Sequence, residues 1–140
     1  MAGSRETVRV LHVDDEAEVL DVTGRLLESH HQPLAVEPVR STADALDRLG
    51  EVDCIVADYV MPEMDGAEFV SRVRRARSDL PVVFFTGWDE EDLDAAALEA
   101  DLTAHVRKGV DPDQYSTLAE RVVDLVEAAA GPGARTSAGE

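Results

Sequence analysis

The stretch VRVLHVDD, residues 8–15, decides the fold because an apolar run ends abruptly at an acidic pair, Asp14-Asp15. Three further apolar runs end in the same way, each at one polar residue: Asp58, Thr86 and Lys108. Ligands of open parallel sheets bind in the crevice outside the carboxyl ends of the strands. Three carboxylates, a hydroxyl and the only lysine of the chain at such an edge predict a site for Mg²⁺ and a phosphoryl group.

Strand-like apolar runs alternate with helical patterns five times along the chain. The predicted strands are Val8–Val13, Leu34–Val39, Cys54–Asp58, Val82–Thr86 and Ala104–Arg107. The predicted helices run from Glu16 to about Ser29, from Ser41 to Leu49, from Gly66 to about Arg77, from Asp89 to about Ala100, and from Pro112 to Ala129. Strands interleaved with helices predict an α/β fold in which a parallel sheet is covered on both faces, a doubly wound sandwich.

Local signals refine three of these elements. Pro33 and Pro38 flank and interrupt the second strand, which favours an edge position in the sheet. Ser41 followed by Asp44 resembles a capping box at the start of the second helix. Four apolar residues are expected on one face of the first helix: Val19, Leu20, Leu26 and Leu27.

The length of 140 residues suits one domain, over residues 7–130. Residues 1–6 are polar and predict a disordered N-terminus without the apolar stretch of a signal peptide. Residues 131–140 consist mostly of Gly, Pro, Ala, Ser and Thr and predict a flexible tail or the start of a linker. The apolar runs are far too short to span a membrane. A single cysteine, Cys54, agrees with a cytoplasmic location because reducing compartments do not rely on disulfides.

The chain is strongly acidic, with 30 Asp and Glu against 13 Lys and Arg, for a net charge of −17. This balance disfavours direct contact with nucleic acid or with an anionic membrane. Acidity combined with a near-absence of lysine is typical of proteins from halophilic cells, where salt screens the self-repulsion. An acidic protein from an arginine-rich, high-GC genome is the alternative.

The sequence resembles response-regulator receiver domains, the CheY-like family, in four places. Residues 10–16, VLHVDDE, resemble the first strand and acidic pair of that family, and residues 58–66, DYVMPEMDG, resemble its phosphoacceptor loop. Phe85-Thr86-Gly87 and Arg107-Lys108 are similar to its two remaining active-site strand ends. The resemblance covers about residues 7–129. It implies a (βα)5 flavodoxin-like sandwich whose five-stranded sheet has the order 2-1-3-4-5.

The resemblance also implies roles for the site residues. Mg²⁺ would be held by four groups: Asp15 and Asp58 directly, the backbone carbonyl of Val60, and Asp14 through water. Asp58 would accept the phosphoryl group from a sensor histidine kinase or a phosphotransfer protein. Lys108 and Thr86 would bind the phosphoryl oxygens. Such a chain catalyses its own phosphorylation and phosphate loss, and is otherwise not an enzyme.

In the family, the threonine moves inward on phosphorylation together with an aromatic residue of the fifth strand. Here these switch residues would be Thr86 and His105. The surface that changes would comprise the fourth predicted helix, the fifth strand and the last helix, and it would contact a downstream protein target. The family usually has proline after the lysine, whereas this chain has Gly109, so we expect a trans peptide bond there.

Other functions on this type of fold fit the residues less well. A haloacid-dehalogenase-type phosphohydrolase carries Asp-x-Asp after its first strand, whereas the acidic residues here are adjacent. A nucleotide or flavin binder would need a glycine-rich loop after the first strand. A non-phosphorylated receiver-like interaction module would lack one of the site residues. Whether the domain stands alone or was excised from a larger regulator or hybrid kinase is left open.

Overall fold

The computed structural model describes residues 7–29, 33–59, 61, 63–87, 103–109 and 113–139. Five parallel strands form one sheet of order β2-β1-β3-β4-β5. The strands are β1 (Val8–Val13), β2 (Leu34–Val39), β3 (Cys54–Ala57), β4 (Val82–Thr86) and β5 (Thr103–Arg107). The helices are α1 (Ala17–Glu28), α2 (Thr42–Leu46), α3 (Gly66–Ala76) and α4 (Gln114–Gly139), with a 3₁₀ turn over Leu49–Glu51. The predicted α/β fold and its strand order are confirmed.

The second strand lies at the edge of the sheet, as its prolines predicted. Pro38 is paired with His12 of β1 in the parallel register. An edge strand tolerates proline because one side of it makes no ladder hydrogen bonds, so the missing N–H leaves no partner unpaired. β1, by contrast, pairs with a strand on both sides and carries four buried residues in succession at its carboxyl end.

The sheet separates two layers of core side chains. On one side, Phe84 packs with Phe69 and Val73 of α3. On the other side, Phe85 packs with Leu27 of α1 and Leu118 of α4. Neighbouring strand residues such as Phe84 and Phe85 point to opposite faces, and a sheet covered on both faces needs apolar residues at both.

Side chains cap the two helices that follow β2 and β3. The Ser41 side chain accepts a hydrogen bond from the backbone N–H of Asp44, which confirms the predicted cap of α2. The Asp65 carboxylate accepts from the N–H of Glu68 at the start of α3, 2.9 Å away. Each cap satisfies one of the backbone donors that a helix N-terminus leaves unpaired.

The first and second helices differ from their predictions. Leu26 is 42% exposed, because the buried stripe of α1 consists of Leu20, Thr23 and Leu27. At about 100° per residue, Leu26 lies a full step away from that stripe. The second helix ends at Leu46 rather than Leu49, and Leu49 is instead buried from within the following 3₁₀ turn. A tighter turn brings this leucine into the core while the chain reverses toward β3.

The last helix continues to Gly139, past the position where the sequence predicts a tail or linker. Alanine, the strongest helix former, occupies residues 128–130 just before this stretch. Whether residues 131–140 connect to another domain stays a prediction. The predicted disordered N-terminus and the predicted helix over residues 89–100 lie outside the described residues. None of the helices in the described part of the chain has the length and apolar character to cross a membrane.

Candidate functional site

Asp14 and Asp58, two of the three predicted acidic residues, lie side by side at the carboxyl edge of the sheet. The Asp14 N–H donates to the carbonyl of Val39, 3.1 Å away, and so continues the β1–β2 ladder. The Asp58 N–H donates to the carbonyl of Val13 at 3.2 Å, and so continues the β1–β3 ladder. These bonds fix both carboxylates directly beyond the ends of neighbouring strands, as the strand order requires.

Lys108, which directly follows β5, places its ammonium near both carboxylates. Its Nζ lies 3.4 Å from Asp14 Oδ2 and 3.8 Å from Asp58 Oδ2. The Lys108 N–H donates to the carbonyl of Thr86, 2.8 Å away, which anchors the residue after β5 to the end of β4. The side chains of Lys108 and Asp58 are about one-fifth exposed, so the site opens to solvent at these two residues.

Asp14 is the most deeply buried of the three predicted acidic site residues, with 1% exposure. Burial raises the pKa of its carboxyl, and the Glu16 N–H and the Lys108 ammonium act in the opposite direction. Its two oxygens have different partners. Oδ1 accepts from the Glu16 N–H at 2.9 Å, and Oδ2 accepts from Lys108. These two donors offset part of the cost of burying the Asp14 carboxylate, whose pKa is nevertheless raised by burial.

Asp15 is exposed, and the structure ties it to the site through its backbone. The Arg40 guanidinium donates from Nη2 to the Asp15 carbonyl, 3.2 Å away. No three His, Cys, Asp or Glu side chains within the described ranges form a group that holds a metal by itself. Mg²⁺ in proteins commonly uses one or two carboxylates with phosphate oxygens and water, so the oxygen donors of Asp15 and Asp58 suit it chemically. Val60 lies outside the described residues.

The two predicted switch residues occupy neighbouring strands. Thr86 is paired with Arg107 and Phe84 with His105 in the β4–β5 register, so His105 lies two pairs earlier than Thr86 and on the same face. Thr86 is 1% exposed, whereas His105 is half-buried. The structure thus brings the pair together on one face of the sheet.

Three residues make contacts at the site that no sequence pattern predicted. Phe85 places its ring centroid 5.4 Å from Lys108 Nζ, and Tyr115 of α4 packs edge-on against that ring. Arg40 is the third, described above. Phe85 stands beside Thr86 in the motif at the end of β4, but periodicity gives the face of a residue and not its contact with a cation.

The turn after Lys108 explains why this chain has Gly109 where the family usually has proline. Gly109 has φ of 88°, in the left-handed region, whereas proline is restricted to about −65°. Its N–H donates to Oε1 of Gln114 at 2.8 Å, a bond that proline has no hydrogen to make. No cis peptide bond occurs among the described residues. The backbone conformation and the hydrogen bond both favour glycine here.

Comparison with known proteins gives a consistent family assignment. Residues 10–120 match the family described as "Response regulator receiver domain". The chain is 30% identical over 122 residues to the cyclic di-GMP phosphodiesterase response regulator RpfG of Xanthomonas campestris pv. campestris, covering 84% of this chain and 32% of that protein. It is 33% identical over 124 residues to the sensor kinase CckA of Brucella abortus, covering 84% of this chain and 12% of that protein. The chain thus spans a third or less of these relatives.

Solved structures show the same architecture. A response regulator receiver domain protein from Clostridium thermocellum superposes with a TM-score of 0.75 at 21% identity, covering 86% of this chain and 95% of that one. A CheY-like receiver domain protein from Methanospirillum hungatei superposes with a TM-score of 0.72 at 23% identity, covering 88% and 99%. At these identities the likeness establishes the fold.

Proposed function

Because this chain belongs to the response regulator receiver domain family of two-component signalling, we propose that Asp58 accepts a phosphoryl group from a histidine kinase or phosphotransfer protein. The observation that carries the proposal is the convergence of Asp14, Asp58 and Lys108 at one sheet edge. A nucleophilic carboxylate beside a compact cation is what phosphoryl transfer to an aspartate needs.

The proposed reaction is a displacement at phosphorus. An Asp58 carboxylate oxygen forms a bond to the phosphorus, the bond from phosphorus to the donor histidine nitrogen breaks, and its electron pair stays on that nitrogen. The Lys108 ammonium and the Thr86 hydroxyl bind the phosphoryl oxygens. The negative charge of these oxygens is then stabilised by the lysine cation and by a hydrogen bond from the threonine. The side chain of Asp58 is open enough for a donor to approach, since about one-fifth of it is exposed.

We assign Mg²⁺ to Asp15 and Asp58 directly, to the Val60 carbonyl, and to Asp14 through water. Bound there, the ion would neutralise charge on the transferring phosphoryl oxygens. The water-mediated role of Asp14 is supported by its contacts, because both of its oxygens already accept hydrogen bonds from the protein. A carboxylate so occupied suits an outer position better than a direct one.

We propose that the phosphorylated state is transmitted by Thr86 and His105. Once Thr86 turns toward the phosphoryl group, the space beside it would admit the ring of His105 from the neighbouring strand. Their positions on one face of neighbouring strands, two pairs apart, support this coupling. The changed surface around β5 and α4 would then bind a downstream protein. A histidine has less apolar area than the tyrosine of many receivers, so its inward state depends more on the hydrogen bonds of the ring.

The proposal includes a cytoplasmic location and a high-salt environment. Cys54, the only cysteine, is a buried free thiol, in agreement with a reducing compartment. The net charge of −17 is tolerated best where salt screens repulsion between surface carboxylates. Contact with nucleic acid is not part of the proposed function.

The proposal is tested by intact-mass measurement after incubation with acetyl phosphate, with Mg²⁺ or with EDTA. The wild-type chain should gain one phosphoryl group in Mg²⁺ only, and Asp58→Asn should gain none. Asp53→Asn is a matched control, because Asp53 is an exposed carboxylate just before β3, the strand that Asp58 follows. The Asp53 Oδ2 atom accepts a hydrogen bond from the Arg9 N–H. It should behave as wild type. A folded wild-type chain that gains nothing from acetyl phosphate or from a kinase would favour the non-phosphorylated interaction module instead.

A further inference from the structure

Within the described part of the chain, the ammonium of Lys108 lies near two carboxylates and an aromatic ring. The carboxylates are those of Asp14 and Asp58, at 3.4 and 3.8 Å. The ring is that of Phe85, whose centroid lies 5.4 Å from Nζ. A cation above the face of a ring at this distance is attracted by the negative potential of the π-system.

The ring of Phe85 is itself held in place. Phe85 is 1% exposed and belongs to the core layer between the sheet, α1 and α4. The ring of Tyr115, in the first turn of α4, packs against it with centroids 5.7 Å apart and planes inclined by 64°. This T-shaped arrangement is a favoured geometry for aromatic pairs, so α4 braces the ring that Lys108 touches.

The backbone alone does not fix the Lys108 ammonium. Lys108 follows the last residue of β5 and precedes Gly109, where the chain turns into the left-handed region. Its flexible four-carbon side chain ends in a strongly hydrated point charge, and 23% of the side chain is exposed. Without lateral contacts, the ammonium could leave the carboxylates for water. The ring of Phe85 supplies such a contact on one side of the Lys108 ammonium.

We infer that Phe85, braced by Tyr115, is a positioning residue for Lys108 and holds its ammonium over the phosphoryl site. Phe85 does not touch the reacting atoms and acts only through the lysine. Its effect on phosphorylation rests on the proposed function, whereas its effect on the lysine does not. The same contacts join the site to α4 through the ring of Phe85.

The test uses the fact that Lys108 is the only lysine of the chain. Labelling lysine with ¹³C at Cε therefore gives one NMR signal, whose relaxation reports how tightly the side chain is held. Phe85 is replaced by a series of phenylalanines with one, three and five ring fluorines, which weaken the negative ring face at nearly constant size. Phe84 receives the same series as a matched control, because it is fully buried and packs T-shaped on Tyr59 in the opposite layer.

Fluorination at Phe85 should progressively loosen Lys108 in the unphosphorylated protein and slow phosphorylation by acetyl phosphate by about threefold across the series, the size expected for a partly exposed cation–π contact. The Phe84 series should leave both readouts at wild-type values. Tyr115→Leu should loosen Lys108, whereas Tyr115→Phe, which keeps the ring, should not.

Equal lysine mobility along the Phe85 series would overturn the inference, and so would an equal loss of order in the Phe84 series, since general core damage would then be the cause. If the wild-type chain is not phosphorylated at all, the proposed function fails. The lysine signal of the unphosphorylated protein still decides whether Phe85 positions Lys108.

Discussion

His12 should make the stability of the fold depend on pH. It lies inside β1 with 1% exposure, and its Nδ1 has no hydrogen-bond partner within the described part of the chain. Burial, followed by the positive charge of Lys108, lowers the pKa of His12 from 6.5 to about 4. The native state therefore keeps this ring neutral at pH values where the unfolded chain protonates it.

The direction and size follow from this difference in pKa. The native state binds fewer protons than the unfolded state. The contribution of the neutral His12 ring to the free energy of unfolding is therefore fully present above pH 6.5 and is lost as the pH falls toward 4. By pH 5 the lost free energy of unfolding amounts to about 2 kcal/mol, at about 1.4 kcal/mol for each tenfold change in proton binding. For a domain of this size, that is a sizeable part of the total stability.

Urea unfolding at pH 7.5 and pH 5, in buffer without Mg²⁺, measures the effect for the wild type and for His12→Val. The wild type should lose about 2 kcal/mol more than the variant between the two pH values. Thr23→Val is the matched control. Thr23 is also fully buried with an unpartnered side-chain oxygen among the described residues, but it does not titrate in this range. Equal losses in wild type and His12→Val would refute the reasoning.

Four further predictions concern other parts of the molecule. Gly66→Ala should lower the free energy of unfolding in urea by about 1–3 kcal/mol, because its Cβ would collide with the Tyr59 ring and lie 2.8 Å from Phe84 Cε1; a loss below about 0.5 kcal/mol would contradict the close approach. Asp65→Ala should cost about 1 kcal/mol in the same assay and Asp65→Asn much less, since only the latter keeps an acceptor for the helix cap, and equal costs would count against the cap. Burial raises the pKa of the Cys54 thiol, so iodoacetamide should label it in urea and not in the native state, and native labelling would disprove its inertness. Raising NaCl from low to molar concentration should raise Tm by screening the net charge of −17, and a Tm independent of salt would argue against a strained acidic surface.

The layout of the site was predictable from the sequence because it depends on strand ends. Asp14, Asp58 and Lys108 each follow an apolar run, and in a parallel sheet all such ends lie on one edge. The edge position of β2 was predictable from Pro38 for a similar reason, since proline cannot donate to a ladder. These features are set by the backbone, which periodicity and turn residues describe well.

The remaining features depend on how side chains pack once the elements meet. Leu26 follows an apolar pattern but is exposed, because α1 meets the sheet along Leu20, Thr23 and Leu27. The contact of Phe85 with Lys108 joins a residue of β4 to the residue just after β5, and it depends on side-chain conformations that no spacing records. The end of α4 could not be predicted, because glycine and proline lower helix propensity without excluding a helix.

The most direct test of the account locates the phosphoryl group on the chain. Protein phosphorylated with acetyl phosphate and Mg²⁺ is reduced with borohydride, which converts an aspartyl phosphate into homoserine, and the peptides are sequenced by mass spectrometry. We expect homoserine at position 58 and at no other aspartate, including Asp14 and Asp15. Homoserine at another position, or phosphate on a histidine or hydroxyl group with position 58 unchanged, would contradict it.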